Sequence, residues 1–116
     1  MFARNVRIKL KPNGVPEFTS ILRKKIVPLL RKQEGFQYEM LFVAPQRNEA
    51  IAISFWDKQA HAEAYNHIAY LDVLRILSKV VEEMPIVENF EVASSTAHEI
   101  AGGRGLTRET FRSGSG

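Results

Sequence analysis

Phe36-Gln-Tyr-Glu-Met-Leu-Phe-Val-Ala-Pro45-Gln-Arg-Asn-Glu-Ala50-Ile-Ala-Ile-Ser-Phe-Trp56 is the stretch on which the fold turns. From Phe36 the pattern has period two, with Phe36, Tyr38, Met40 and Phe42 facing one way and Gln37, Glu39, Leu41 and Val43 the other. Gln46 to Glu49 is a polar turn, and Ala50 to Trp56 is a second run rich in isoleucine and aromatics, so the pair reads as a β-hairpin. Large apolar side chains stand on both faces: Phe36, Tyr38, Met40 and Phe42 oppose Leu41 and Val43, and Ile51, Ile53 and Phe55 oppose Trp56. An antiparallel sheet with one wet face alternates apolar with polar residues, so this hairpin needs a covering layer on each side.

Upstream, Phe2 to Lys11 alternates from Arg4 onward, with Val6, Ile8 and Leu10 on one face and Asn5, Arg7 and Lys9 on the other, which makes it a strand. Pro12-Asn13-Gly14 has turn chemistry. Val15 to about Gln33 then carries Phe18, Ile21, Leu22, Ile26, Leu29 and Leu30 at three- and four-residue spacing, the signature of a helix with one apolar stripe. Pro16 is compatible with its first turn, whereas Pro28 removes a backbone donor inside it and predicts a kink or a break. Gly35 closes the segment.

Downstream, Asp57 is placed to cap a helix running from Lys58 to about Met84, with an interruption expected near Asn66 and His67. Leu71, Leu74, Ile76, Leu77, Val80 and Val81 supply its apolar stripe, Pro85 ends it, and Ile86 to about Ala97 reads as the last strand. The order β-α-β-β-α-β is the split βαβ arrangement, an α+β ferredoxin-like antiparallel sheet with its helices on one face. The helices cover one side only. The other apolar side is best covered by a second copy of the same sheet, which predicts a C2 homodimer. Residues 1–100 form this single domain, and 101–116, Gly-rich with only Leu106 and Phe111 as sizeable apolar residues, reads as a flexible tail or a dimer arm.

Composition narrows the function classes. With 116 residues, 45% apolar and 25% charged, the chain fits one globular core. No apolar run approaches the ~20 residues of a membrane span, and Met1 to Lys11 alternates instead of forming a signal-peptide core, so a cytoplasmic protein without membrane contact is expected. The absence of cysteine excludes disulfides, thiolate metal sites and a cysteine nucleophile. Of the +3 formal charge, Arg23, Lys24, Lys25, Arg31 and Lys32 belong to one helix face and Arg104, Arg108 and Arg112 to the tail; no nucleic-acid recognition motif accompanies them. His61 and His67 stand six apart with no carboxylate at ligand spacing, so no metal site is expected, and the glycines of Ala101-Gly-Gly-Arg-Gly105 follow the last strand and precede no helix, so no phosphate loop is either.

The segment Trp56-Asp-Lys-Gln-Ala60-His61-Ala-Glu63-Ala64-Tyr65 resembles the Trp-x-x-x-Ala-His-x-Glu-Ala-His segment of antibiotic-biosynthesis-monooxygenase-type proteins, including the quinol monooxygenases, with Trp56, Ala60, His61, Glu63 and Ala64 matching. The order of elements agrees over roughly Phe2 to Glu99. The resemblance implies a dimeric α/β barrel with a pocket in each subunit between sheet and helices. It also implies oxidation of an aromatic polyketide or quinol by dioxygen with no bound cofactor. The positions used by haem-degrading members fall here on Val6, Tyr65 and about Arg75, which argues against haem degradation. Tyr65 and Tyr70 stand where quinol monooxygenases carry histidines, and Ala52 where the polyketide oxygenases carry an asparagine.

Two readings follow. In the first, the protein is a cofactor-independent monooxygenase acting on a small aromatic, phenolic or quinol compound. His61 deprotonates the substrate, and Trp56 stacks on it and donates its indole N–H. Tyr65 and Tyr70 offer phenolic hydroxyls, His67 turns inward at the helix break, and Tyr38 and Phe42 form the pocket wall. In the second, the loss of the two histidines leaves a non-catalytic dimeric module that binds a small apolar ligand.

Overall fold

The computed structural model describes residues 1–97. Strand β1 (Phe2–Lys9) leads through the Pro12 to Gly14 turn into helix α1 (Val15–Ile21), which continues through a π-helical turn (Leu22–Ile26) into α2 (Val27–Arg31). The π turn is the answer to Pro28. Proline cannot donate to the carbonyl one turn back, and the chain absorbs the missing bond by widening: the Val27 N–H donates to the Leu22 carbonyl, five residues earlier. Leu22, Ile26 and Leu30 therefore stay buried, and helical structure runs without a gap from Val15 to Arg31.

Gly35, at φ +85°, turns the chain into β2 (Phe36–Ala44). A 3-10 turn (Pro45–Arg47) and left-handed Asn48 close the hairpin onto β3 (Glu49–Trp56). Helices α3 (Gln59–Ile68) and α4 (Tyr70–Leu77) are separated at Ala69, three residues beyond Asn66, and β4 (Ile86–Glu91) ends the described fold. The helical segment expected to reach Met84 stops at Leu77, because the chain then turns back to bridge Leu10 through Val81.

The sheet order is β2-β3-β1-β4 with every neighbouring pair antiparallel, an α+β ferredoxin-like architecture. The core lies between the sheet and the helices. Phe18, Ile21, Leu22, Ile26 and Leu30 from the first helical arm and Ala62, Tyr65, Val73 and Leu77 from the second close over Ile8, Ala50, Ala52 and Trp56. Burial of apolar area at about 25 cal/mol per Å² is the main stabilising term of such a core.

The other sheet face carries Tyr38, Met40 and Phe42 of β2, Ile51, Ile53 and Phe55 of β3, and Ile86 and Phe90 of β4. No helix of the described residues covers it: Met40, Phe42, Ile86 and Phe90 are each about half exposed, Phe42 at 49% and Phe90 at 52%. One side chain departs from simple alternation. A bulge between Phe36 and Tyr38 turns Phe36 to the helix side, where its ring meets Trp56 edge-on at 5.6 Å. The tail expected from 101 onward lies outside the described residues.

Candidate functional site

The register of the strands assembles a polar row inside the apolar layer. Glu39 of β2 pairs with Ser54 of β3, Ser54 with Arg4 of β1, and Arg4 with Asn89 of β4, so one row of helix-facing positions crosses all four strands. The row beside it, Leu41, Ala52, Val6 and Val87, is wholly apolar. Neighbouring strands lie about 4.8 Å apart, which puts the backbones of Glu39 and Arg4 roughly 10 Å from each other, too far for a direct ion pair without full extension of both side chains. Ala50, Ala52 and Ser54 on β3 are small, and the room they leave is taken by Arg4 and by tyrosines reaching down from α3 and α4.

Arg4 is 3% exposed. Its Nη2 donates to Oδ1 of Asn66 on α3, and its guanidinium lies over the Tyr70 ring at 4.1 Å and beside the Tyr65 ring at 5.3 Å. Among the described residues no carboxylate comes within 4 Å of it. The cation is thus held by one neutral amide and two ring faces, a weaker compensation than a buried charge ordinarily receives. Burial pushes the Tyr65 hydroxyl well above the usual phenol range, opposed by Arg4 and reinforced by Glu39. Burial likewise raises Tyr70, again against the pull of Arg4.

Glu39 is the second unusual group. Its Oε1 is buried without a hydrogen-bond partner, and so is the Tyr70 hydroxyl. Desolvation alone pushes the Glu39 carboxyl up to about 7. Arg4, Glu39, Ser54, Tyr65 and Tyr70 line one narrow, partly open cavity of about 30 Å³, room for one or two waters. On the far side of Arg4 a more open hollow of about 240 Å³ lies between α3 and the β1/β4 edge, with Asn66, Asn89 and Glu63 at its walls.

Of the residues singled out from sequence, Tyr65 and Tyr70 come together here, their ring centres 6.1 Å apart. Trp56 does not line the cavity. It is fully buried, stacked on Tyr65 at 5.2 Å, and its indole N–H donates to Ser54 Oγ at 2.9 Å, so its one donor is already used inside the core. His61 sits outside the cavity on the first turn of α3, with Nδ1 2.7 Å from Asp57 and Nε2 3.4 Å from Glu34. Asp57 therefore does not cap α3 as expected: Lys58 occupies the cap position, and the Asp57 carboxylate, lowered chiefly by its hydrogen bond with His61, holds the ring at the surface. His67 is exposed because the helix breaks at Ala69 and not at Asn66. Tyr38 and Phe42 stand on the opposite sheet face from the cavity, Tyr38 stacked on Phe55 at 4.5 Å, so neither forms its wall. No group of histidine, aspartate and glutamate able to hold a metal occurs among the described residues, and no helix among them is long and apolar enough to cross a membrane.

Arg4, Glu39 and Ser54 were not among the sequence candidates. Their signal was parity: Arg4 shares the face of Val6 and Ile8, and Glu39 that of Leu41 and Val43.

No protein-family model matches the chain, and no curated protein matches it in sequence. Solved structures do match it. SnoaB, a cofactor-independent oxygenase from Streptomyces nogalater, superposes with a TM-score of 0.68 at 14% identity, over 84% of this chain and 97% of that one. A monooxygenase from the gene ActVA-Orf6 of Streptomyces coelicolor, in complex with nanaomycin D, gives 0.70 at 10% identity over 81% and 88%. A protein of unknown function from Nitrosomonas europaea gives 0.68 at 17% identity over 81% and 90%. The chain has the fold of the antibiotic-biosynthesis-monooxygenase type.

Proposed function

We propose that the protein is a cofactor-independent monooxygenase for a small phenol or quinol, with Glu39 as its base. The observation that carries this reading is the buried Glu39 oxygen without a partner, facing the same cavity as Arg4 and the Tyr70 hydroxyl. A carboxyl titrating near 7 is matched to proton abstraction at neutral pH. Glu39 takes the hydroxyl proton, Arg4 stabilises the resulting phenolate, and the electron-rich ring reduces dioxygen. One oxygen atom enters the ring and the other leaves as water, so a quinol plus dioxygen gives a hydroxyquinone plus water.

A cavity of 30 Å³ holds no aromatic ring. Tyr70, part-exposed and placed directly after the Ala69 break, covers Arg4 with its own ring, and a substrate ring takes that place when Tyr70 swings outward. Fold likeness to oxygenases supports this class of chemistry.

The sheet face opposite the helices supports a homodimer as the working unit. Its apolar side chains on β2 and β3, with Met40 and Phe42 about half exposed in one chain, suit a self-complementary contact, while Asn5 and Arg7 separate them from Ile86 and Phe90, with Glu88 between those two.

The test is dioxygen uptake with a panel of quinols and anthrones. Uptake is expected to rise with pH through about 7, to fall at least a hundredfold in Glu39→Gln, and to be unchanged in His61→Ala. Uptake that survives Glu39→Gln and is lost in His61→Ala would overturn the assignment.

A further inference from the structure

The 240 Å³ hollow beside Arg4 lies outside the Glu39 cavity, and the proposed oxidation uses none of its lining residues except Arg4. Phe2, Ala62 and Val87 give it apolar wall, Asn66 and Asn89 put carboxamides at its rim, and Arg4 forms part of its inner wall. A guanidinium has five N–H donors in a planar fork shaped for a carboxylate, and the partners of Arg4, the Asn66 carboxamide and the Tyr70 side chain, are both neutral. Asn66 is exposed and can swing aside. The one carboxylate on the wall is Glu63, exposed and turned back along α3 to accept from Gln59 Nε2 at 2.8 Å.

We infer that this hollow is a binding site for a small organic monocarboxylate, with the acid group paired to the Arg4 guanidinium in place of Asn66 and the apolar body against Phe2, Ala62 and Val87. A buried cation held only by an amide and ring faces gains more from an anion than from any neutral ligand of the same shape. Its volume suits a ligand of about one substituted ring, below the range of drug-sized sites. The site shares Arg4 with the oxidation proposed above but uses neither Glu39 nor Tyr70; benzoate carries no oxidisable hydroxyl, so its binding is read without turnover.

Titration calorimetry of the full chain with benzoate and with benzamide, its neutral near-isostere, tests the inference. Benzoate is expected to bind about tenfold or more tighter than benzamide. Arg4→Gln should abolish that preference. Should Arg4→Gln fail to fold, Asn66→Asp serves in its place. It sets a fixed carboxylate against Arg4 from an exposed position, and should raise the melting temperature while weakening benzoate at least tenfold. Equal affinity for acid and amide, no binding of benzoate, or benzoate binding unaltered in Asn66→Asp overturns the inference. Those outcomes are read by binding, whereas the proposed oxidation is read by Glu39→Gln, a residue outside the lining of the hollow.

Discussion

Replacing Glu39 by Gln should make the protein more stable above neutral pH and leave it nearly unchanged in acid. The Glu39 carboxyl is raised from 4.5 to about 7, and burial is the cause. Between those two values the folded chain holds a proton that the unfolded chain has released. Stability therefore falls as pH rises through this window, and the full contribution is present only below about 4.5. Each tenfold change in proton affinity is worth about 1.4 kcal/mol, so the folded protein carries a penalty of about 3 kcal/mol once Glu39 is forced to ionise. Gln has the same number of heavy atoms and no proton to lose. The variant should gain up to about 3 kcal/mol over the parent at pH 8, on the order of 10 °C in melting temperature for a chain of this length, with the difference closing toward pH 4.5.

Urea unfolding at fixed protein concentration, followed by the fluorescence of the single tryptophan, reads this directly, since Trp56 is fully buried and becomes exposed on unfolding. The parent-minus-variant difference removes contributions that both proteins share. Asp57, lowered by its hydrogen bond with His61, and Glu49, lowered by its hydrogen bond with Arg47, also act with the opposite sign, giving stability that is lost as pH falls through the acid range. A difference that is flat from pH 4.5 to 8, or a variant less stable at pH 8, would refute the reasoning, because either result means that the folded state stabilises the Glu39 carboxylate instead of excluding it.

Three other outcomes follow from the geometry. Ser54→Ala leaves the Trp56 indole N–H buried without an acceptor and should cost about 1–3 kcal/mol by urea unfolding, without changing the far-ultraviolet dichroism. Gly35→Ala should destabilise by about 1–3 kcal/mol, because φ is +85° there and a Cβ would run into Asp57 and His61; removing the His61 ring in the double variant should recover part of the loss. Light scattering at micromolar concentration should give twice the 13.2 kDa chain mass, and Phe42→Asp, on the open sheet face, should return a monomer of unchanged melting temperature at low concentration; a parent protein that runs as a 13.2 kDa monomer rules out the proposed face-to-face pairing.

The elements were legible because burying one face of a strand or helix forces a period on the chain. Val6, Ile8 and Leu10 mark β1, and Leu22, Ile26 and Leu30 mark the first helical arm in spite of Pro28. What the period could not reveal were the places where pairing decides. Phe36 reads as a partner of Tyr38 and Met40, yet a single extra residue at the bulge turns it to the other side, and a bulge leaves no trace in alternation. The last strand reads as far as Ala97 but pairs with β1 only to Glu91, with one further bond from the Val92 N–H to the Met1 carbonyl. The site shows the same division more sharply. His61 matched a motif, and the structure places it on the first turn of α3, paired with Asp57 four residues earlier and outside the cavity of Arg4 and Glu39. Arg4 and Glu39 broke the pattern by placing a charge at a core-facing position, 35 residues apart in the chain. Each alone reads as an isolated exception to its strand's alternation. Only the register through Ser54 sets them in one row, with a cation lacking its anion on one side and a carboxyl lacking its partner on the other. The proposed site therefore rests on the charged residues that violate strand parity and not on the residues that match a motif. The test of that assignment is whether Glu39→Gln, and not His61→Ala, abolishes turnover.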